Sequence, residues 1–183
     1  GSEVVISLDP ARRGGDSYAI VVRRGYKIVY IDARRPIQND PTEEIVGWFL
    51  GIADEFQANR GFVDSGGLGG PVLDIIRHKA KFQVIGVNSS GRSPEPGKYV
   101  NLRAYCWNGM RRGFQKGLID LSEVEENKAF EKLVSDLITP KYHYDYAGKL
   151  QIEDKAEIRK RLGRSPDLGD ALAVSFALPM DGG

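Results

Sequence analysis

The stretch Gly163 to Phe176, GRSPDLGDALAVSF, constrains this chain more than any other. Ser165 followed by Pro166 starts a helix, because serine caps free backbone N–H groups and proline suits the first helical position. Asp167 and Asp170 then fall in the opening turns, three residues apart and on one face. The positive end of the helix dipole favours carboxylates there. From Ala171 to Leu178 the residues are small and apolar almost all round, which predicts a buried helix. Two carboxylates at the head of a buried helix either serve as caps or share a cation with acids from elsewhere.

Short elements of alternating type precede that helix. Val4 to Leu8 is an apolar, β-branched run that predicts a buried strand, ending in Asp9 and a polar turn from Pro10 to Asp16. Tyr18 to Val22 and Lys27 to Ile31 follow as strands joined through Arg23-Arg24-Gly25-Tyr26. Asp40-Pro41-Thr42-Glu43 opens a helix with Ile45, Phe49, Ile52 and Phe56 at helical spacing. Gly61 to Val63 reads as a fourth strand, ending in Asp64, and the loop Ser65 to Gly70 leads to a helix from Pro71 to Lys79. Phe82 to Val87 is a fifth strand, and the Ser, Gly and Pro of Asn88 to Lys98 predict a long mobile loop. Helices are expected at Asn101 to Lys116, Val124 to Leu137 and Asp154 to Leu162. A β-hairpin is expected over Lys141 to Ile152.

At 183 residues, with 41% hydrophobic and 28% charged residues, the chain fits one globular α/β domain, residues 3–180. Gly1-Ser2 reads as an expression scar on a piece of a longer chain. One cysteine, Cys106, and two histidines, His78 and His143, rule out an internal disulfide and a zinc cluster. A metal site would need oxygen ligands. No apolar run approaches a membrane span and no signal peptide is visible, so an intracellular setting is expected. The net charge of +1 leaves any basic footprint to local clusters.

Asp9 and Asp64 each stand where an apolar strand leaves the sheet, the edge at which open α/β sheets bind ligands. With Asp167 and Asp170 they would form an acidic group that repels itself unless it holds divalent cations. Hard oxygen donors select Mg²⁺ or Mn²⁺. Two such ions about 4 Å apart would clamp the attacking and leaving oxygens of a phosphodiester. Each acid also has a plainer reading: Asp9, Asp16 and Asp64 as turn residues and Asp167 as a helix-start acid. Asp170 lies deeper in the apolar helix and is harder to explain that way.

The order strand-Asp9, hairpin strands, strand-Asp64-Ser65-Gly66-Gly67 and a closing acidic helix resembles the ribonuclease H-like fold, a mixed central sheet flanked by helices, here with an added β-hairpin. Asp167-x-x-Asp170-Ala171-Leu172-Ala173 is similar to the closing motif of Holliday-junction resolvases in that superfamily. The chain more closely resembles the nuclease domain of the large terminase subunit of tailed bacteriophages. Four features carry this: Leu8-Asp9-Pro10-Ala11 with Gly14-Gly15-Asp16; Val63-Asp64-Ser65-Gly66-Gly67-Leu68-Gly69; Asn101-Leu102-Arg103-Ala104 heading a helix with Trp107; and Lys155 through Arg164-Ser165-Pro166-Asp167-Leu168-Gly169-Asp170-Ala171. The resemblance implies a metal-dependent endonuclease that cuts concatemeric viral DNA during genome packaging in the cytoplasm of the infected bacterium. Its metal-binding acids would be Asp9, Asp64 and Asp170, with Asp167 a fourth or alternate ligand. The superfamily often has Glu where Asp64 stands. Implied partners are double-stranded DNA, the ATPase domain of the parent chain, the small terminase subunit and the portal. No G-x-x-x-x-G-K-[ST] motif occurs, so this piece lacks the packaging ATPase signature.

Arg12 and Arg13 beside Asp9 are candidate phosphate contacts, as are Arg103 and Arg111 on the basic side of their helix with Arg112 and Lys116. Lys155, Arg159, Lys160, Arg161 and Arg164 crowd five positive charges against the closing acids, which a bridging polyanion would explain. Lys155 is the candidate for reaching the scissile phosphate. The glycines of the Asp64 loop could cradle a phosphate, though a tight strand-to-helix turn explains them as well. Tyr142, Tyr144 and Tyr146 could stack on DNA or simply pack along their strand. Trp48 and Trp107 are expected in the core. Three other readings remain open: a junction resolvase, an ATP-binding actin-like protein, and a non-catalytic DNA clamp.

Overall fold

The computed structural model describes residues 1–11, 16–66 and 69–178. Five strands form one mixed sheet: β1 (Val4–Asp9), β2 (Tyr18–Arg24), β3 (Lys27–Arg34), β4 (Arg60–Asp64) and β5 (Gln83–Val87). Their order is β3-β2-β1-β4-β5. The first three run antiparallel, as short hairpin connections allow, whereas β1, β4 and β5 are parallel. Helices α1 (Thr42–Glu55) and α2 (Gly69–Lys79) supply the crossovers that those parallel pairs require.

Side-chain alternation divides the core in two. Ile6, Leu8, Ile20, Val22 and Val63 face α1 and α2, packing on Phe49 and Ile76. Val5, Val21 and Phe62 face the other way, onto α3 (Leu102–Gln115), α4 (Phe130–Ile138) and α6 (Asp167–Val174). Ser7 follows the same parity, and its hydroxyl donates to the Ala171 carbonyl at 2.5 Å. That bond seats α6 across β1. Every residue of α6 is buried, as its apolar composition requires. A small second sheet pairs β6 (Tyr142–Tyr144) with β7 (Leu150–Ile152), and α5 (Lys155–Leu162) follows at once.

Several expectations change. The helix expected from Val124 to Leu137 is broken into a 3-10 turn, Ser122–Val124, and α4. Asn127 breaks it: its side chain accepts from the Ala129 N–H at 2.8 Å and donates to the Ile31 carbonyl at 3.2 Å. Ser165 does not cap α6, which has no side-chain cap of its own. Instead Asp136 reaches over from α4 and accepts from the N–H groups of Leu168 and Gly169, at 2.8 and 3.1 Å. The Asn88 to Lys98 loop is pinned: Ser89 and Ser93 are buried, and the Ser89 and Gly91 carbonyls accept from Arg103 and Leu102. Strand β2 runs through Arg23, expected in the turn, because its buried guanidinium bonds Ser175 behind α6. Among the described residues no helix is long and apolar enough to cross a membrane.

Candidate metal centre

Parallel pairing of β1 with β4, with Leu8 opposite Val63, places Asp9 and Asp64 side by side where both strands end. Asp9 shares the parity of Val5 and Ser7, and Asp64 that of Phe62, so both stand on the α6 side. Helix α6 brings Asp167 and Asp170 to the same rim. All four side chains are buried.

Each acid is held by a different device. The Lys155 Nζ atom, from the first turn of α5, lies 3.3 Å from Asp9 Oδ1 and 3.2 Å from Asp170 Oδ2. Asp170 Oδ1 accepts from the Trp107 indole N–H at 2.9 Å and lies 3.4 Å from Arg103 Nη2. Asp64 Oδ1 accepts from the Gly66 N–H and Oδ2 from the Ser89 hydroxyl, each at 2.9 Å. Gly69 lets α2 start directly against this strand end, since a Cβ there would sit 2.0 Å from the Asp64 carbonyl oxygen.

Burial pushes the Asp9 carboxyl well up, against the pull of Lys155 and with help from Asp170 and Asp64. Burial likewise lifts Asp167 to about 7, opposed by Lys155 and reinforced by Asp170. Burial would also raise Asp170, but Lys155, Arg103 and the Trp107 bond together hold it below the usual carboxylate range. The site is therefore short of positive charge. Asp9 Oδ2 is buried without a hydrogen bond among the described residues, and Asp170 Oδ2, also buried, faces the Lys155 ammonium. An all-oxygen set of four buried carboxylates, one of its oxygens without a partner among the described residues, fits a hard divalent cation. Among the described residues no three acidic, histidine or cysteine side chains group tightly enough as they stand to hold one. The Lys155 ammonium lies between two of them and meets part of the charge.

Lys155 is thus drawn into the acids. Four of the candidates on and after α5 have carboxylate partners too. Arg159 donates to both oxygens of Asp16 at 3.1 Å and to the Ser165 hydroxyl at 2.9 Å. Lys160 pairs with Glu157, Arg161 with Glu153, and Arg164 with fully buried Asp136. Arg103 turns inward, its Nη1 donating to the Glu153 carbonyl at 2.6 Å. Arg111 stacks over Tyr142, 4.4 Å from the ring centroid, and donates to its hydroxyl. Arg112 and Lys116 are exposed. Arg12 and Arg13 lie outside the described residues. Tyr142 and Tyr144 meet edge to face along β6, ring centroids 6.3 Å apart, and both are exposed, as is Tyr146.

Ser89, Trp107 and Asp136 were not legible as site residues. Ser89 sat in a stretch that read as a loose loop, and Trp107 read as core. Arg103 and Trp107, one helical turn apart, were a usable signal for one face meeting one partner.

No protein-family model and no curated protein matches the chain. Solved structures do. The nuclease domain of the large terminase subunit of bacterial virus Sf6, in a variant solved with manganese and beta-thujaplicinol, superposes with a TM-score of 0.79 over 98% of this chain and 89% of that one, at 22% identity. This chain shares the fold of that domain. The large terminase nuclease of thermophilic phage G20c, with bound magnesium, shares it at a TM-score of 0.66, 11% identity, and 96% and 81% coverage. The large terminase of bacteriophage HK97 follows at 0.65 and 11% identity; there 97% of this chain matches 39% of the larger one. The ribonuclease H-like architecture expected from the sequence is therefore the one observed.

Proposed function

We propose that this chain is a divalent-metal-dependent DNA endonuclease, the nuclease domain of a phage large terminase subunit. In this reading it cuts concatemeric viral DNA during packaging, in the cytoplasm of the infected bacterium. One observation carries the proposal. Asp9 and Asp170, from opposite ends of the chain, are both buried and both within 3.3 Å of one ammonium, on the rim that also carries Asp64. Charge of that kind at the head of a buried helix has little structural use and a direct catalytic one. The manganese and magnesium of the terminase nucleases that share the fold support the choice of ion.

Asp9, Asp64, Asp167 and Asp170 would hold Mg²⁺ or Mn²⁺, two ions in all. When bound, such ions polarise the phosphodiester and activate water for attack on it. The chain's own residues prepare that site. Trp107, Arg103, Ser89 and Gly66 fix the carboxylates, and Lys155 neutralises Asp9 and Asp170 and stands ready for a phosphate oxygen. Asp167, lifted to about 7, holds a proton part of the time at neutral pH. Arg12, Arg13, Arg103, Arg111, Arg159, Arg161 and Arg164 are the proposed DNA contacts, and those with carboxylate partners must exchange them for phosphates. The match to 39% of the HK97 terminase supports a parent chain with an ATPase domain, acting with small terminase subunit and portal.

Nicking of supercoiled plasmid in Mn²⁺, Mg²⁺ and EDTA tests this, with Asp9→Asn and Asp170→Asn alongside. We expect metal-dependent nicking, reduced at least about 100-fold in each variant. Binding without cutting would make the chain a clamp. Cutting confined to four-way junctions would make it a resolvase.

A further inference from the structure

Trp107 lies against α6 in a way that ordinary core packing does not require. Its indole N–H points at Asp170 Oδ1, 2.9 Å away, and the Arg103 guanidinium lies 5.7 Å from its ring centroid and 3.4 Å from the same oxygen. The other oxygen of that carboxylate, Oδ2, is buried and faces the Lys155 ammonium at 3.2 Å. The neighbouring residue makes the approach possible. A Cβ at Gly169 would lie 3.0 Å from Trp107 Cη2 and 3.0 Å from Asp136 Cβ. Gly169 therefore gives the indole room against the first turn of α6, and Asp136 ties that turn down through the Leu168 and Gly169 N–H groups.

We infer that Trp107 is a positioning residue for metal binding. It locks one oxygen of Asp170, with Arg103 beside it and Gly169 giving it room, and so keeps the second oxygen turned to the side where Lys155 sits and where a cation would be held. Such outer donors fix the direction of a carboxylate ligand, and their loss commonly weakens metal binding 10- to 100-fold. The inference rests on the metal-dependent reading above and assigns within it a role to a tryptophan that the sequence placed in the core.

The first test needs no substitution. The chain has two tryptophans, and the Trp48 indole donates elsewhere, to the Tyr30 hydroxyl at 3.1 Å. In the ¹H–¹⁵N spectrum of the wild-type protein, Mg²⁺ should shift the Trp107 indole signal with the midpoint found by calorimetry and leave that of Trp48 in place. Trp107→Phe, which keeps the ring and removes the donor, should weaken Mn²⁺ binding about tenfold or more by calorimetry while the melting temperature stays close to wild type. In an Asp170→Ala background the same change should add nothing, because it acts through that carboxylate. A Trp107 signal that ignores an ion bound in an Asp170-dependent way would overturn the lock and leave the metal reading standing. So would an equal loss of affinity from Trp107→Phe in both backgrounds. Wild-type protein that binds neither ion would overturn both.

Discussion

Burial lifts the Asp167 carboxyl to about 7 and pushes Asp9 up as well, each against the attraction of Lys155. Asp136, buried under α6, is raised in the same direction by its burial. Between pH 3.8 and about 7 the folded chain therefore keeps protons that the unfolded chain has released. Stability falls as pH rises through that window, by up to about 1.4 kcal/mol per pH unit for each titrating group. Asp170 is held low and changes charge below the window, so it does not cancel the trend. Thermal melts of the protein in EDTA should show a melting temperature that declines from about pH 4.5 to about pH 7.5, and saturating Mg²⁺ should remove most of the decline. A flat profile in EDTA would show that these acids do not share one desolvated site.

Two junctions between elements set where the acids point. At the first, β4 turns into α2 with no room at Gly69. Gly69→Ala should cost about 2 kcal/mol or more and abolish metal-dependent nicking, whereas Gly70→Ala, which faces open space, should leave both near wild type. Urea unfolding and the plasmid assay check the pair. At the second, α4 closes the start of α6 through Asp136, which also pairs with Arg164. Removing it deprives two backbone N–H groups of their acceptor and leaves the Arg164 guanidinium without its carboxylate, on the Ser165 and Lys132 carbonyls alone. Asp136→Ala should therefore destabilise the fold by about 2–4 kcal/mol, with Asp136→Asn between it and wild type in the same measurement. The sequence showed each junction only in part. The glycines after Asp64 were legible as a tight turn, but Asp136 read as one more polar residue on a helix, because its partners are 28 to 33 positions away.

Across the whole molecule, the basic cluster beside the closing acids is paired within the chain. The net charge is +1, and Lys155, Arg159, Lys160, Arg161 and Arg164 all have carboxylate partners. The density of basic residues next to the closing acids suggested a polyanion between them; much of that charge balance is met within the chain. In EDTA at physiological salt, duplex DNA should bind no tighter than the ordinary non-specific range, a Kd of roughly 10⁻⁴ to 10⁻⁶ M. Fluorescence anisotropy against salt concentration measures this. Binding in the nanomolar range would show that Arg159, Arg161 and Arg164 leave their acids for phosphates far more readily than these pairings imply.

Local pattern alone was enough for the strands, the two crossovers, the hairpin and the buried closing helix, since periodicity and turn chemistry act over a few residues. It also picked out Asp9, Asp64, Asp167 and Asp170, because carboxylates at strand ends and at the head of an apolar helix conflict with their surroundings. Tertiary structure decided what holds those acids. The parity of β1 and β4 puts Asp9 and Asp64 on the α6 face, and the Ser7–Ala171 bond sets α6 over them. Ser89 and Trp107 meet their carboxylates from 25 and 63 positions away, Lys155 reaches Asp9 from 146, and the Asp136 carboxylate meets the α6 N–H groups from 32 and 33. Such contacts depend on how helices cross a sheet, and residue order within any one segment does not encode that.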